Sequence, residues 1–258
     1  MKKGIALFLA ACVGLSACGA AGRSETGETA RIEQSQEVET QTGENRDGER
    51  TSGETAERAP GQEQETEKIL IAYFTWADNT QVEDPSAVDV DATTSASVLP
   101  PGNTAKLAEW IQERVGGDLF SIVTEEPYSS DYDQCLERAA DEKAEDIRPA
   151  LTGRVEHMEQ YDTVFLGYPN WWYTVPMPVL TFLEEYDFSG KTVVPFCAHG
   201  TGGLAGSVEA VEDALPESAR LLEPVGVYRP DVDFAQPVIE QWLDELGYGA
   251  ESAEGQVP

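Results

Sequence analysis

From Lys68 onward, unbroken apolar runs alternate with stretches in which apolar residues recur every three or four positions. The first run, Ile69-Leu70-Ile71-Ala72-Tyr73-Phe74, is β-branched and aromatic, as a strand buried on both faces requires. Leu107, Ile111 and Val115 then make one helical stripe, which Gly116-Gly117 stops. Residues 118–123 (DLFSIV) read as a second strand, and residues 131–147 as a helix with Cys135, Leu136, Ala139, Ala140 and Ile147 on one face. Thr163 to Tyr168 is again continuously apolar, and a helix beginning at Pro176 or Pro178 runs to Glu185. A strand over 192–197, a helix bearing Leu204, Val208, Val211 and Leu215, and a weaker strand over 221–227 follow. The last helix carries Val238, Ile239, Trp242, Leu243 and Leu246 at helical spacing. Five βα units of this kind predict an α/β fold, an open parallel sheet with helices on both faces. Ligands of such sheets bind at the carboxyl ends of the strands, and there this chain places its unusual loops.

The pattern before Lys68 is different. Lys2 and Lys3 precede an apolar segment, Ile5 to Leu15, shorter than the roughly 20 residues of a spanning helix. It ends in Leu15-Ser16-Ala17-Cys18, which resembles a bacterial lipobox, and residues 1–18 are read as a lipoprotein signal. Ordinary signal cleavage is the alternative. In the lipobox reading Cys18 is lipidated, and the protein is tethered outside the cytoplasmic membrane of a bacterial cell. Residues 19–67 hold almost no large apolar side chain and carry 5 Arg against 13 acidic residues, a composition that predicts a disordered acidic tether. The folded domain is set at 68–248, with 249–258 as a disordered tail.

Net charge is −31 for the whole chain, and most of it falls on the folded part. No basic footprint exists for neutralising a nucleic-acid backbone, which weighs against nucleic acid as a partner. Of the four cysteines, only Cys135 and Cys197 lie in the body. An oxidising compartment would let them pair, but one sits in a helical pattern and the other ends an apolar strand, so two buried thiols are expected.

Three loops carry candidate chemistry. In the first, Thr75-Trp76-Ala77 follows the opening strand, but the helix that should begin there is delayed by a polar insertion spanning 76–101. Gly102-Asn103-Thr104 then opens it. A hydroxyl at a strand end and backbone N–H groups at a helix start are the parts of a neutral anion site. There is no Walker lysine, which points to a monophosphate rather than a nucleoside triphosphate. Asn103 or Thr104 as a plain helix cap fits the same residues. Asn79-Thr80 leads into no helix and reads as the entry to the insertion.

The second loop, Pro169-Asn170-Trp171-Trp172-Tyr173, places aromatic residues at the end of a buried strand, where a flat ligand could stack. One of the two Trp is expected to pack beneath a neighbouring loop instead. The third, Ala198-His199-Gly200-Thr201-Gly202-Gly203, is glycine-dense, so backbone can approach a ligand edge, and His199 is either a ligand contact or a solvated loop residue. No His/Cys/Glu cluster has metal-site spacing, and no Ser or Cys carries a nucleophile motif.

Taken in this order on a five-unit α/β chain, the loops resemble flavodoxin, and more closely the flavodoxin-like domains of bacterial lipoproteins. The stretches that carry the resemblance are 71–75, 102–104, 118–120, 167–172 and Asp187-Phe188-Ser189-Gly190-Lys191. It implies a sheet of strand order 2-1-3-4-5 and FMN as cofactor. Phosphate contacts would fall on Thr75, Asn103 and Thr104, with Trp76, Ala77 and Gly102 beside them. The ring would be flanked by Pro169 to Tyr173 on one side and Ala198, His199 and Gly200 on the other. Two departures stand out: Asp78 occupies a place where the family has Gly, and His199 stands where electron-transfer flavodoxins commonly place Tyr.

Three functions follow from this reading. One is an FMN redox protein that carries electrons between a donor and an acceptor it does not identify, with no side chain required as acid or base. Another is an FMN-dependent reductase of nicotinamide or quinone substrates. The third is a non-redox binding lipoprotein that keeps the fold without flavin.

Overall fold

The computed structural model describes residues 67–92 and 97–249. The signal segment with Cys18, the tether up to residue 66 and the tail from residue 250 lie outside the described residues.

Eight strands and five helices have both ends among the described residues, and they follow in chain order. β1 (Ile69–Tyr73) is followed after the insertion by α1 (Asn103–Val115), β2 (Asp118–Ser121) and β3 (Val123–Thr124). Next come α2 (Tyr132–Ala144), β4 (Leu151–Thr152), β5 (Thr163–Pro169), α3 (Met177–Glu185) and β6 (Thr192–His199). The chain continues through α4 (Ser207–Ala214), β7 (Arg220–Leu221), β8 (Val225–Tyr228) and α5 (Gln236–Leu246). The main sheet is parallel and runs β2-β1-β5-β6, with β7 and β8 in turn along the far side of β6. Counted as five strand positions, this is the order 2-1-3-4-5.

Successive residues of the strands feed two cores. Leu70 and Ala72 of β1, Phe74 just beyond it, Val164, Leu166 and Tyr168 of β5, and Cys197 of β6 face the side covered by α2, α3 and α4. Ile71, Phe165, Val194 and Phe196 face α1 and α5, whose Leu107, Ile111, Ile239, Trp242 and Leu243 complete the second core. Burial on both faces is why the strands read as continuous apolar runs. Gly167 is required where β5 passes Phe196, because a Cβ there would lie 2.2 Å from the ring.

Several expected elements differ in detail, among them α4, which spans only Ser207–Ala214 and so leaves Leu204 and Leu215 outside the helix expected to bear them. The 118–123 strand breaks at Ile122, whose N–H still donates to Tyr73 O at 2.7 Å. Val123–Thr124 then leaves the main sheet to pair antiparallel with β4. The 221–227 strand is split, and Pro224 in the gap has no N–H to give a ladder. The helix expected to reach Ile147 ends at Ala144, and Ile147 is exposed. Its stop is a Schellman pairing, Ile147 N to Glu142 O and Asp146 N to Lys143 O, with Asp146 at φ 54° in the place glycine usually takes. In α5, Val238 lies off the buried stripe and is exposed.

Cys135 and Cys197 are free and buried. Burial pushes the Cys135 thiol up to about 12, so it stays protonated at neutral pH.

Candidate functional site

The insertion leaves β1 and returns so that its two flanks meet. After Thr75 the chain makes a 3₁₀ turn, Ala77–Asn79, and a second at Pro85–Ala87. It comes back through Val98, which is fully buried in the core beside Ala92, and a cis Pro100-Pro101 peptide. Gly102, the residue before α1, then lies directly against Thr75. A Cβ on Gly102 would sit 2.2 Å from Thr75 Oγ1, and its backbone, φ 77° and ψ 156°, belongs to a region reserved for glycine. Thr75 and Gly102-Asn103-Thr104, far apart in sequence, form one wall.

No side chain caps α1, so the N–H groups of its first turn and its positive dipole end are not taken up by a capping residue. Thr104 Oγ1 is buried and has no hydrogen-bond partner. A buried orphan hydroxyl costs about 1–3 kcal/mol, which a ligand at this helix end would recover. Asn79, by contrast, is a clamp. Its Nδ2 donates to Thr75 O and Ile122 O, both at 2.9 Å, and its Oδ1 accepts from Thr124 N at 2.8 Å. That double grip fixes the end of β1 and draws β3 off the sheet. Asp78 does not line the cleft, and its carboxylate accepts from Ser121 Oγ at 2.6 Å.

The aromatic loop is a two-residue hairpin. Trp171 and Thr174 exchange both backbone hydrogen bonds at 3.0 Å, and the two residues between them have positive φ: Trp172 at 50° and Tyr173 at 65°. That is a type I′ turn, normally built from Asn-Gly. Left-handed backbone costs roughly 1–2 kcal/mol per bulky residue, and several bonds hold it here. Lys143 Nζ donates to Trp172 O at 2.6 Å, Trp172 Nε1 to Leu136 O at 3.0 Å, and Gly206 N to Tyr173 O at 3.1 Å.

The two indoles have different jobs. Trp171 packs edge-on against Phe74 and Tyr128, with ring centroids 5.3 Å away in both cases, and against Trp76 at 6.5 Å. Tyr128 is in turn fixed by Glu142, whose Oε2 accepts from its hydroxyl at 2.6 Å, and by the Arg138 guanidinium 4.0 Å over its ring. Burial, reinforced by the Glu142 charge, raises the Tyr128 pKa far above the ordinary phenol value. Trp172 is 43% exposed and Tyr173 is 68% exposed, so they form the open rim.

The glycine-rich loop closes the other side. Asn170 ties the two loops together, its N–H donating to Ala198 O at 3.1 Å and its Nδ2 to Gly203 O at 2.5 Å. His199 Nδ1 donates to Gly200 O at 2.8 Å. Its ring is wedged at Gly226, where a Cβ would come within 3.0 Å of Nε2.

These walls enclose a cleft of about 310 Å³, at the lower end of the range for small-molecule sites. Thr75, Trp76, Asn103, Thr104, Pro169, Asn170, Trp171, Trp172, Tyr173, Ala198, His199 and Gly200 all line it. Ala77 and Gly102 do not. Both are buried in the wall behind Thr75, so they shape the site without facing it. Thr201 and Gly202 extend the third loop. Tyr132, Leu136 and Arg229 also line the cleft and escaped the sequence reading. Tyr132 and Leu136 sit in the first turns of α2 and look there like an ordinary amphipathic stripe. Arg229 follows a strand whose pattern was weak.

A family model described as flavodoxin matches residues 89–225, from within the insertion to the first residue of β8. Flavodoxin 1 of Escherichia coli (strain K12) is 26% identical over 158 residues, which is 60% of this chain and 68% of that protein. The crystal structure of a flavoprotein from Bacteroides eggerthii is 31% identical, with a TM-score of 0.53, covering 70% of this chain and 99% of that one. A flavoprotein structure from Bacteroides uniformis, 24% identical with a TM-score of 0.52 and covering 69% and 98%, shares the fold. With the family model spanning more than half of its length, this chain belongs to the flavodoxin family.

Proposed function

We propose that this protein binds FMN in the cleft and transfers electrons through it. The observation that carries the reading is Thr104: its hydroxyl is buried and unpartnered, on the uncapped first turn of α1 and in a wall shared with Thr75. Neutral donors at a helix N-terminus suit a phosphate monoester. When bound, FMN supplies the electron chemistry. The chain's own residues do the rest. The α1 N-terminus, Thr75 and Thr104 hold the phosphate, Asn170 locks the two flanking loops into one frame, and Trp172 with Tyr173 presents the aromatic wall. Among the described residues no Asp, Glu, Cys or Lys lines the cleft. Titration of the purified protein with FMN should quench flavin fluorescence at one equivalent; an unchanged flavin spectrum at saturating protein would overturn the reading.

The exposed Trp172 and Tyr173 favour one variant of this function. An open rim leaves room for a second planar substrate, as a nicotinamide or quinone reductase needs. Steady-state turnover with NADH and a quinone would identify a reductase, and its absence in the flavin-loaded protein would identify a carrier.

The same proposal takes Cys18 as the lipidation site and the protein as an extracytoplasmic, membrane-anchored redox component. Its support is the sequence of residues 1–18. Among the described residues no helix is long and apolar enough to cross a membrane. Metabolic labelling with palmitate should mark the wild-type chain and not Cys18→Ala; equal labelling of both would sink the anchor.

A further inference from the structure

The pair Asn79-Thr80 reads in the sequence as no more than the entry to the insertion, and neither residue lines the cleft. Its hydrogen bonds nevertheless run to both ends of the site. Asn79 is buried. Besides its bonds to Thr75 O, Ile122 O and Thr124 N, its Oδ1 accepts from Thr124 Oγ1 at 3.1 Å, which fills both donors and both lone pairs of the amide. The pair also grips a second segment. Tyr128 N donates to Asn79 O at 2.7 Å, Thr80 Oγ1 donates to Tyr128 O at 2.8 Å, and Thr80 and Tyr128 form a parallel bridge. The Tyr128 ring thus fixed packs edge-on against Trp171, 5.3 Å away. Two consecutive residues reach Thr75 at the α1 end of the cleft and, through Tyr128, Trp171 at its aromatic end.

A ligand that spans the cleft needs both walls held at a fixed separation, because a contacting group is useful only when its own supports lock it in place. Thr75 lies two residues beyond the end of β1, where the sheet ladder no longer fixes the backbone, and the Asn79 amide holds its carbonyl instead. An amide suits that post. It sets donors and acceptors in one plane, so a single side chain satisfies backbone groups of Thr75, Ile122 and Thr124 in a place closed to water. Neither Asn79 nor Thr80 carries a charge. The pair can therefore shape an anion site through geometry alone, without altering the field that the anion meets.

We propose that Asn79-Thr80 is the positioning pair of the cofactor site: the Asn79 side chain sets the phosphate wall through Thr75, and Thr80 sets the aromatic wall through Tyr128 and Trp171. This rests on the FMN reading above.

Riboflavin has the same ring system without the phosphate, so the two ligands report on the two walls separately. Wild type, Asn79→Leu, Asn79→Ala, Thr80→Val and Thr80→Ser are titrated with oxidised FMN and with riboflavin. Hydrogen bonds that orient the groups touching a ligand are worth about ten- to a hundredfold in affinity where the ligand is a metal. Asn79→Leu, neutral and of similar size, should weaken FMN by about tenfold and leave riboflavin within about twofold. Asn79→Ala leaves room for water at the freed backbone groups, and it decides the same selectivity where the Leu variant does not fold. Retained riboflavin binding shows that a variant is folded. Thr80→Val should weaken both ligands alike, by about fivefold, and Thr80→Ser, which keeps the hydroxyl, should restore both. Equal weakening of both ligands by the Asn79 variants, or of neither, would overturn the phosphate-wall role. Unchanged binding or an FMN-only loss in Thr80→Val, or no recovery in Thr80→Ser, would overturn the aromatic-wall role. If wild type itself binds no FMN, the cofactor reading fails first, which is a different result from a wild type that binds FMN with no contribution from Asn79-Thr80.

Discussion

At the α1 end of the cleft Thr75 and Thr104 are 2% and 1% exposed, while at the other end Trp172 and Tyr173 stand largely in solvent. The buried end is built from backbone and small side chains in tight contact, with Gly102 where no larger residue fits. The open end is built from large side chains on a strained two-residue turn, tied down by bonds to α2 and to Gly206. On the proposed reading the contrast follows from what each end would recognise. An anion held by backbone N–H groups and a dipole needs donors fixed in place and shielded from water, since the interaction falls off within one helical turn. A flat ring bound as proposed would need an aromatic face, and the exposed rim offers one that a second molecule can also reach.

Substitutions at the two ends should therefore fail differently. The largest effect is expected at Gly102→Ala, where the new Cβ would collide with Thr75 in a backbone conformation only glycine adopts. A cost of roughly 2–5 kcal/mol and loss of FMN binding are expected together, read by denaturant unfolding and flavin titration. Unchanged binding in this variant would show that the junction of Thr75 and Gly102 is not the phosphate wall.

The two indoles provide the next comparison. Trp171→Ala removes the ring that Phe74, Trp76 and Tyr128 all contact, and about 3 kcal/mol of stability should go with it. Trp172→Ala should cost little stability, because its ring is half in water, but should weaken FMN by about tenfold if the rim stacks on it. Equal melting temperatures for the two variants would break the distinction between packed and open indole.

The smallest expected effect is also the most selective. Thr104→Val removes the orphan hydroxyl at nearly constant volume, so the ligand-free protein should be unchanged or up to about 1 kcal/mol more stable. FMN affinity should fall by about tenfold. A loss of stability instead would mean that the hydroxyl already has a protein partner.

Much of the architecture was legible in the chain itself. Ile69 to Tyr73, Thr163 to Tyr168 and Thr192 to Cys197 announce buried parallel strands because both of their faces are apolar, and the stripe on Leu107 and Ile111 announces α1. Where the pattern failed, local chemistry was overridden by a distant partner. Thr124 was held off the sheet by Asn79, and α2 stopped at an Asp in a position where glycine is the usual signal. The type I′ turn carried no Asn-Gly to reveal it, since its strain is balanced by bonds from Lys143, Gly206 and the Leu136 carbonyl.

The site divides along the same line. The sequence by itself determined that three loops with ligand-binding composition lie at the carboxyl ends of parallel strands, because strand direction and loop order follow from hydrophobic pattern and chain connectivity. Only the tertiary structure decided that the two flanks of the insertion close on each other at Thr75 and Gly102, that Trp171 packs while Trp172 faces out, and that Arg229 reaches the cleft. Those are through-space facts between residues 27 to more than 100 positions apart, and one-dimensional patterning has no term for which distant side chains share a wall.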